Sequence, residues 1–273
     1  MENFFPIKTS ILLKVPKVIN RIFDCINWYY CFNMIKYNKG LLKFLDLDNN
    51  LSPIIIEIIP FQDKDGIFIN MLKREEKFIH VYFDDDEYEY KTNYLDKNHN
   101  IKKIKILIDY GIQELSYLFY KCNVIKSITF KQFKRYNIYY MNCMFARCYN
   151  LEEINFDEFN TDNVLEMKCI FYKCYNLRIL DLYDFNLKKL LDYSGMFYKC
   201  ENLYWIVIKE FYFNKSVDTS FMFAYCYSLH HVYLGLLDLS HTENIDYMFY
   251  EFGDDEYRDR LIYNYTDLRK NTF

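Results

Sequence analysis

Residues 159–182 read FNTDNVLEMKCIFYKCYNLRILDL, and this stretch contains one complete unit of a pattern that the chain repeats. Its first half has apolar residues three or four positions apart, the spacing of one helix face: Val164, Met167, Phe171 and Cys174. Its second half follows the strand pattern L-x-x-L-x-L: Leu177, Leu180 and Leu182. Each unit is therefore predicted to form a short helix followed by a buried strand.

The unit recurs at a fixed distance along the chain. Its signature, apolar-Phe-x-x-Cys-x-x-apolar, has phenylalanines whose numbers differ by 26: Phe119, Phe145, Phe171, Phe197, Phe223 and Phe249. Cysteines follow three positions later, with Phe252 in the sixth place: Cys122, Cys148, Cys174, Cys200 and Cys226. One such unit cannot bury its apolar face alone, so neighbouring units are expected to pair their strands into a parallel sheet, at about 4.8 Å per unit.

With these residues, the unit resembles the BspA-like 26-residue leucine-rich repeat of bacterial surface proteins and of many protist proteins. The resemblance covers residues 112–252 and includes both spacing and residue types. It implies an α/β solenoid of five full coils and a degenerate sixth, with the parallel sheet on one face and short helices on the other. It also implies binding of macromolecules without enzymatic activity. The family's strand exit and turn are kept well only at residues 160–164.

The remaining segments are predicted to flank the repeats. Residues 61–111 indicate a β-rich cap, with strands at Phe78–Phe83, Tyr88–Tyr94 and Ile101–Ile108. Residues 1–60 form an unassigned N-terminal region with helical spacing between Val18 and Ile35. Within it, the apolar run that Pro60 ends is more typical of a buried strand. Residues 253–273 are expected to form a C-terminal cap or tail.

Charge and composition narrow the classes of function. The net charge is −4 and no basic tract is present, so no nucleic-acid partner is predicted. The chain has six glycines and none of the glycine or histidine motifs of nucleotide-binding and hydrolytic enzymes, so no enzyme is expected. Glu2 and Lys14 do not suit a signal peptide, and no apolar run reaches the roughly 18 residues of a membrane span. We therefore expect a cytoplasmic protein with reduced thiols, with the cell surface as the alternative location.

The cysteine column could be a metal or redox ladder, or it could be core. Zinc ligands normally come in short pairs such as C-x-x-C, and the chain has none. Cys143 and Cys148 are five positions apart, which would place them on different faces of a helix, and so are Cys169 and Cys174. A free cysteine at the end of an apolar stripe behaves as a small hydrophobe. The Phe and Cys columns are therefore predicted to be core, with no metal and no cofactor.

The outward residues of the later strands are the predicted partner-binding site. Alternation along a strand would expose six of them on neighbouring strands: Ile179, Tyr183, Trp205, Val207, His231 and Tyr233. Trp and Tyr are favoured binding anchors, so this cluster indicates a contact surface for a protein partner. Alternatively, a flanking segment or the C-terminal tail covers it. The predicted function is a non-enzymatic interaction scaffold, the alternatives being an exported surface adhesin or an adaptor whose residues 1–60 recruit an enzyme complex.

Overall fold

A computed structural model describes residues 52–71, 75–109, 112–211, 217–233, 236–237 and 245–253. Three predictions lie outside these residues: the helical segment between Val18 and Ile35, most of the C-terminal tail, and cover of the exposed strands by that tail. The described part is mostly sheet. Its helical segments are two 3-10 turns, Glu76–Phe78 and Lys97–His99, and one short α-helix, α1 (Ile245–Met248).

An open, mixed sheet of eight strands organises this part of the chain. In chain order the strands are β1 (Ile54–Pro60), β2 (Gly66–Ile67), β3 (Ile79–Phe83), β4 (Tyr94–Leu95), β5 (Ile104–Ile108), β6 (Ile125–Gln132), β7 (Glu153–Asn155), β8 (Ile179–Leu182), β9 (Trp205–Ile208), β10 (Glu210–Phe211), β11 (His231–Tyr233) and β12 (Leu236–Leu237). The large sheet has the order β11-β9-β8-β7-β6-β1-β5-β3, while β10 pairs with β12 and β2 with β4. Sheet neighbours in the first half of that order are parallel, and the others are antiparallel.

The parallel half keeps the repeat spacing in its register. Each strand from β6 to β11 pairs with the strand of the next unit, and the paired residue numbers differ by 26, as in Ile179–Trp205–His231. The apolar strand positions face inward and are buried, among them Ile128, Leu180 and Ile206. The repeated leucines and isoleucines therefore form one continuous layer beneath these strands.

The antiparallel half adjoins the first repeat. β1 lies between β5 and β6, and Ile54, Ile56 and Ile58 are fully buried, which confirms the buried strand predicted before Pro60. The first and third predicted strands of residues 61–111 are confirmed as β3 and β5.

The middle predicted strand, Tyr88–Tyr94, is wrong for most of its length. The structure has only a single bridge between Val81 and Tyr90, followed by the two-residue β4. The Asp86 carboxylate accepts hydrogen bonds from the Tyr88 N–H and the Tyr90 hydroxyl, both at 2.8–2.9 Å. A side chain that binds the backbone two residues later stabilises a turn in place of extended backbone.

The short helices predicted in the first half of each unit are wrong for the five full units, where these segments are successive turns, whereas the degenerate sixth unit contains α1 directly before Phe249. Two residues in each full unit adopt the left-handed backbone region, for example Cys169 (φ 54°) and Lys173 (φ 59°). Left-handed residues interrupt a right-handed helix. Two tight turns thus produce the same three- and four-residue spacing of buried residues that a helix face would give.

Backbone hydrogen bonds join these turns from unit to unit. The N–H of Phe145 donates to the carbonyl of Ile170 at 2.9 Å, and Phe171 and Phe197 repeat this bond at 3.0 and 2.8 Å. The repeated phenylalanine rings stack beneath the turns with centroids 5.1–5.7 Å apart, from Phe119 to Phe249. Both sides of each unit are therefore bonded to the next one.

Asn70 closes the first unit, which has no preceding repeat. Its N–H donates to the Leu118 carbonyl at 2.7 Å, and its Nδ2 donates to the Tyr120 and Tyr117 carbonyls at 2.8 and 3.1 Å. Beside it, Phe68 and Ile69 are fully buried. This segment supplies the donors that a preceding repeat gives to every later unit.

Candidate functional site

The six predicted partner-binding residues come together on the outer face of β8, β9 and β11. Ile179, Trp205 and His231 are paired across the three strands, and the next outward row is Asp181, Val207 and Tyr233. Tyr183 follows β8 directly, two positions after Asp181. The exposed side chains alternate with buried Leu180 and Ile206 because successive strand residues point to opposite faces.

This surface, called here the aromatic patch (Ile179, Tyr183, Trp205, Val207, His231 and Tyr233), is open to solvent over most of its area. The exposed fraction is 51% for Ile179, 45% for Tyr183, 40% for Trp205 and 56% for Tyr233. His231 is exposed and Val207 is half-buried. Neighbouring large apolar side chains left in water on adjacent strands are typical of interaction surfaces.

Polar groups at the edge of the patch contact the rings of Tyr183 and His231. The Lys209 ammonium lies 5.5 Å from the centroid of the Tyr183 ring, a cation–π contact. The hydroxyl of Tyr204 lies 2.7 Å from Nε2 of His231, and Tyr204 is itself 48% exposed. Tyr204 was not predicted because it precedes β9, where strand alternation does not apply. Its position next to Trp205 was the available signal.

The outer face of the first two repeat strands is different. There Lys131 lies between Glu57 and Asp157, with its Nζ 3.9 and 4.0 Å from their carboxylate oxygens. Glu153 and Asn155 on β7 are exposed polar residues. The sheet therefore has a charged half and an aromatic half, and the aromatic patch begins at β8.

The predicted core columns are buried, with exposed fractions of 2% or less from Phe119 to Phe249 and from Cys122 to Cys226. The thiols also bond to the preceding unit: Cys148 donates to the Phe119 carbonyl at 2.8 Å, and Cys174 to that of Phe145 at 3.1 Å. Burial raises the pKa of Cys148 to about 12. These thiols are protonated at neutral pH and have a packing and hydrogen-bonding role. Among the described residues, no three His, Cys, Asp or Glu side chains are grouped to hold a metal ion.

A second set of residues lies on the turns, two positions before the core phenylalanines of the five full units. This outer column, Tyr117, Cys143, Cys169, Gly195 and Phe221, has left-handed backbone at every position, with φ between 54° and 63°. Cys143 and Cys169 are half-buried and stand side by side in successive units. The sequence-based prediction compared cysteines within a unit and missed this pair. The signal was their separation of 26 residues, the length of one repeat.

The two thiols of the outer column interact with each other. A hydrogen bond from Cys169, then from Tyr117, with the charges of Lys168 and Arg147, lowers the pKa of Cys143 to about 7. The bond to Cys143, followed by burial, raises the pKa of Cys169. Cys143 therefore ionises more readily than Cys169.

An open pocket of roughly 410 Å³ lies beside Cys169. Lys168 and Asp218 provide charged groups at this pocket, and Gly195 forms part of its wall. Ser194 also lines it, and its hydroxyl oxygen is buried without a hydrogen-bond partner.

Part of the repeat region matches a family model. Residues 113–235 match the model of a family described as "Mycoplasma protein of unknown function, DUF285". The matched residues include the repeat units from the outer column at Tyr117 to the end of β11. Comparisons with curated proteins and with solved structures gave no match. Over the described residues, no helix has both the length and the apolar character needed to cross a bilayer.

Proposed function

We propose that the chain is a non-enzymatic interaction scaffold that binds a protein partner through the aromatic patch. Residues 112–252 would form a leucine-rich-repeat solenoid of the BspA-like type. The register of 26 residues between successive parallel strands and the inter-unit bonds of the turns support this architecture.

The observation that carries the binding proposal is the exposure of Trp205 between two other exposed anchors. Trp205 lies directly between Ile179 and His231 in the sheet, and Tyr183 and Tyr233 flank this row. A partner that covered these side chains would remove apolar area from water at about 25 cal/mol per Å². Binding energy at protein interfaces is concentrated in such Trp and Tyr residues.

The charges near the patch favour a partner surface that is apolar at its centre and polar at its rim. Asp181 lies within the patch, and Lys209 and the Tyr204–His231 pair stand at its edges. Rim charges of this kind fix orientation and association rate more than affinity. The charged half of the sheet at Lys131 would lie outside the contact area.

The test is affinity purification with the full chain and matched variants. Trp205→Ala and Tyr233→Ala are expected to lower recovery of the bound partner at least about tenfold, as loss of a binding anchor does. Glu153→Ala and Asn155→Ala change exposed residues of the same sheet outside the patch and should leave recovery unchanged. Circular dichroism would establish that every variant is folded. Equal recovery with all four variants would contradict the proposal.

Fluorescence separates an open patch from one covered by another part of the chain. In a Trp28→Phe background, Trp205 is the remaining tryptophan. An uncovered Trp205 should be quenched efficiently by acrylamide, and addition of the purified partner should protect it. Strong protection in the free protein would instead show that a segment of the chain occupies the patch.

A further inference from the structure

The dithiol of the outer column is independent of the aromatic patch. Cys143 and Cys169 lie on the turns, whereas the patch lies on the outer face of the sheet. Of the cysteines in the described residues, these two are half-buried and the other five are fully buried. A reagent in solvent therefore meets this pair first.

We propose that Cys143 and Cys169 form a reactive dithiol that small-molecule disulfides oxidise to a disulfide bond between successive repeats. Cys143 is the attacking thiol and Cys169 is the resolving thiol. The pocket that Cys169 lines gives access to the resolving thiol.

The backbone geometry permits the bond. The N–H of Cys143 donates to the carbonyl of Lys168 at 2.9 Å, so the turns that carry the two cysteines are directly adjacent. Chains bonded in this way lie about 4.8 Å apart, within the roughly 4.4–6.8 Å between Cα atoms that a disulfide spans. The Cys169 thiol donates to the Ser194 carbonyl at 3.5 Å. A disulfide therefore requires side-chain rotation at the two cysteines, with little movement of the backbone.

The surroundings of Cys143 suit a nucleophile. The Cys169 thiol, the Tyr117 hydroxyl and the positive charges of Lys168 and Arg147 together lower the pKa of Cys143 to about 7. A thiol whose pKa lies near the ambient pH is the most effective attacking group in thiol–disulfide exchange. The buried thiols of the core column lack this property because desolvation keeps them protonated.

Gly195 opens the approach to Cys169. A Cβ built at Gly195 would lie 3.0 Å from the Cys169 sulfur, and the φ of 58° also suits glycine. The missing side chain leaves the pocket continuous with the sulfur. At the pocket, the charged groups of Lys168 and Asp218 can bind the polar parts of a peptide-like disulfide.

The chemistry balances in two exchanges. The Cys143 thiolate attacks one sulfur of a disulfide R–S–S–R, which forms Cys143–S–S–R and releases the first R–S⁻. Cys169 then gives its proton to solvent and attacks the Cys143 sulfur, which releases the second R–S⁻. Two protein thiols are oxidised to one disulfide, and the reagent is reduced to two thiols.

The experiment uses the full chain with Cys25→Ser and Cys31→Ser, which removes the two cysteines outside the described residues. The protein is incubated with oxidised glutathione, trapped with acid and alkylating reagent, and mapped by peptide mass spectrometry. A Cys143–Cys169 crosslink should form at least about tenfold faster than any modification of Cys174. Cys169→Ser should instead retain glutathione on Cys143, and Cys143→Ser should lose the fast reaction.

Two controls keep the result interpretable. Cys174→Ala alters a buried column cysteine and should leave the crosslinking rate unchanged, while circular dichroism checks the fold of each variant. Gly195→Ala should slow the reaction because its Cβ would crowd the Cys169 sulfur. The proposal is overturned if folded protein yields no Cys143–Cys169 peptide, or if Cys143→Ser reacts at Cys169 as fast as the parent does. Partner recovery by the patch variants reports on the proposed function separately.

Discussion

Two columns of residues run side by side through the same turns, and they differ in what the fold requires of them. The inner column has phenylalanine at every position from Phe119 to Phe249, each with an exposed fraction of 2% or less. The outer column, two positions earlier, has one backbone conformation but changes from tyrosine to cysteine, glycine and phenylalanine. Stacking against identical neighbours requires the same residue type, phenylalanine, at every position of the inner column. A shared left-handed turn accepts several residue types in the outer column.

The comparison locates where this chain can differ from other repeat proteins. A buried ring must match the ring above and the ring below, at centroid distances near 5.5 Å. A residue on the turn or on the outer strand face needs only to be compatible with the backbone. Both the aromatic patch and the outer-column dithiol consist of such residues, so the proposed binding and the proposed thiol reactivity depend on residues outside the repeat signature.

The largest effect is expected from a break in the inner column. Phe171→Ala removes a ring that stacks between Phe145 and Phe197, at 5.5 and 5.7 Å, and leaves a buried cavity. It should lower the free energy of unfolding by about 3–5 kcal/mol. Urea denaturation measures this loss. Tyr183→Ala, an exposed aromatic change in the patch, should cost less than about 1 kcal/mol, and equal losses for both variants would contradict the comparison.

A smaller loss of stability is expected at Asn70, which closes the first unit. Asn70→Ala removes the Nδ2 donor to the Tyr120 and Tyr117 carbonyls, while the backbone bond to Leu118 remains. The cost should be about 1–3 kcal/mol, because carbonyls at a partly buried edge lose their donor. Asn98→Ala is the matched control, since its side chain bonds only to nearby Asp96 at an exposed turn. Hydrogen exchange should show the loss concentrated in the first unit.

The sequence predicted the repeat, its register and the buried strands because periodicity reports directly on burial. The strand Ile54–Pro60 followed from its apolar run, and the outward rows of β8 and β9 followed from alternation. The turns could not be distinguished from helices, since their left-handed residues, apart from Gly195, are non-glycine residues such as Arg147 and Lys173. Their backbone conformation is stabilised by hydrogen bonds to the next unit, which are not local in sequence.

The site residues also differ in whether the sequence could predict them. The aromatic patch was predictable because its residues are related by strand alternation and by the repeat length. Tyr204 and the Cys143–Cys169 pair were missed, since one lies before its strand and the other joins two units across their turns. The role of Asn70 depends on tertiary contact over 47 to 50 residues, and no local pattern marks it.

A moderate effect is expected from the thiols of the inner column. Cys174→Ala removes a buried sulfur and its hydrogen bond to the Phe145 carbonyl, which keeps a second donor, the N–H of Cys148. The cost should be about 1–2 kcal/mol, mainly from the cavity. Cys143→Ala in the half-buried outer column should cost less than about 0.5 kcal/mol. Thermal unfolding under reducing conditions measures both, and a larger loss at Cys143 would reverse the assignment of core and surface.

An effect of similar size is expected from the shared left-handed turn itself. Lys173 has φ 59°, and its ammonium lies 5.1 Å from the centroid of the Tyr172 ring. Lys173→Gly and Lys173→Val both remove that contact, but glycine accepts positive φ while a β-branched residue strongly resists it. The valine variant should therefore be less stable than the glycine variant by about 1–2 kcal/mol, measured by urea denaturation. Because charge and cation–π contact are lost equally, the difference isolates the backbone strain. Equal stability of the two variants would show that the turn does not require positive φ at this position, so that the backbone conformation could also differ from unit to unit.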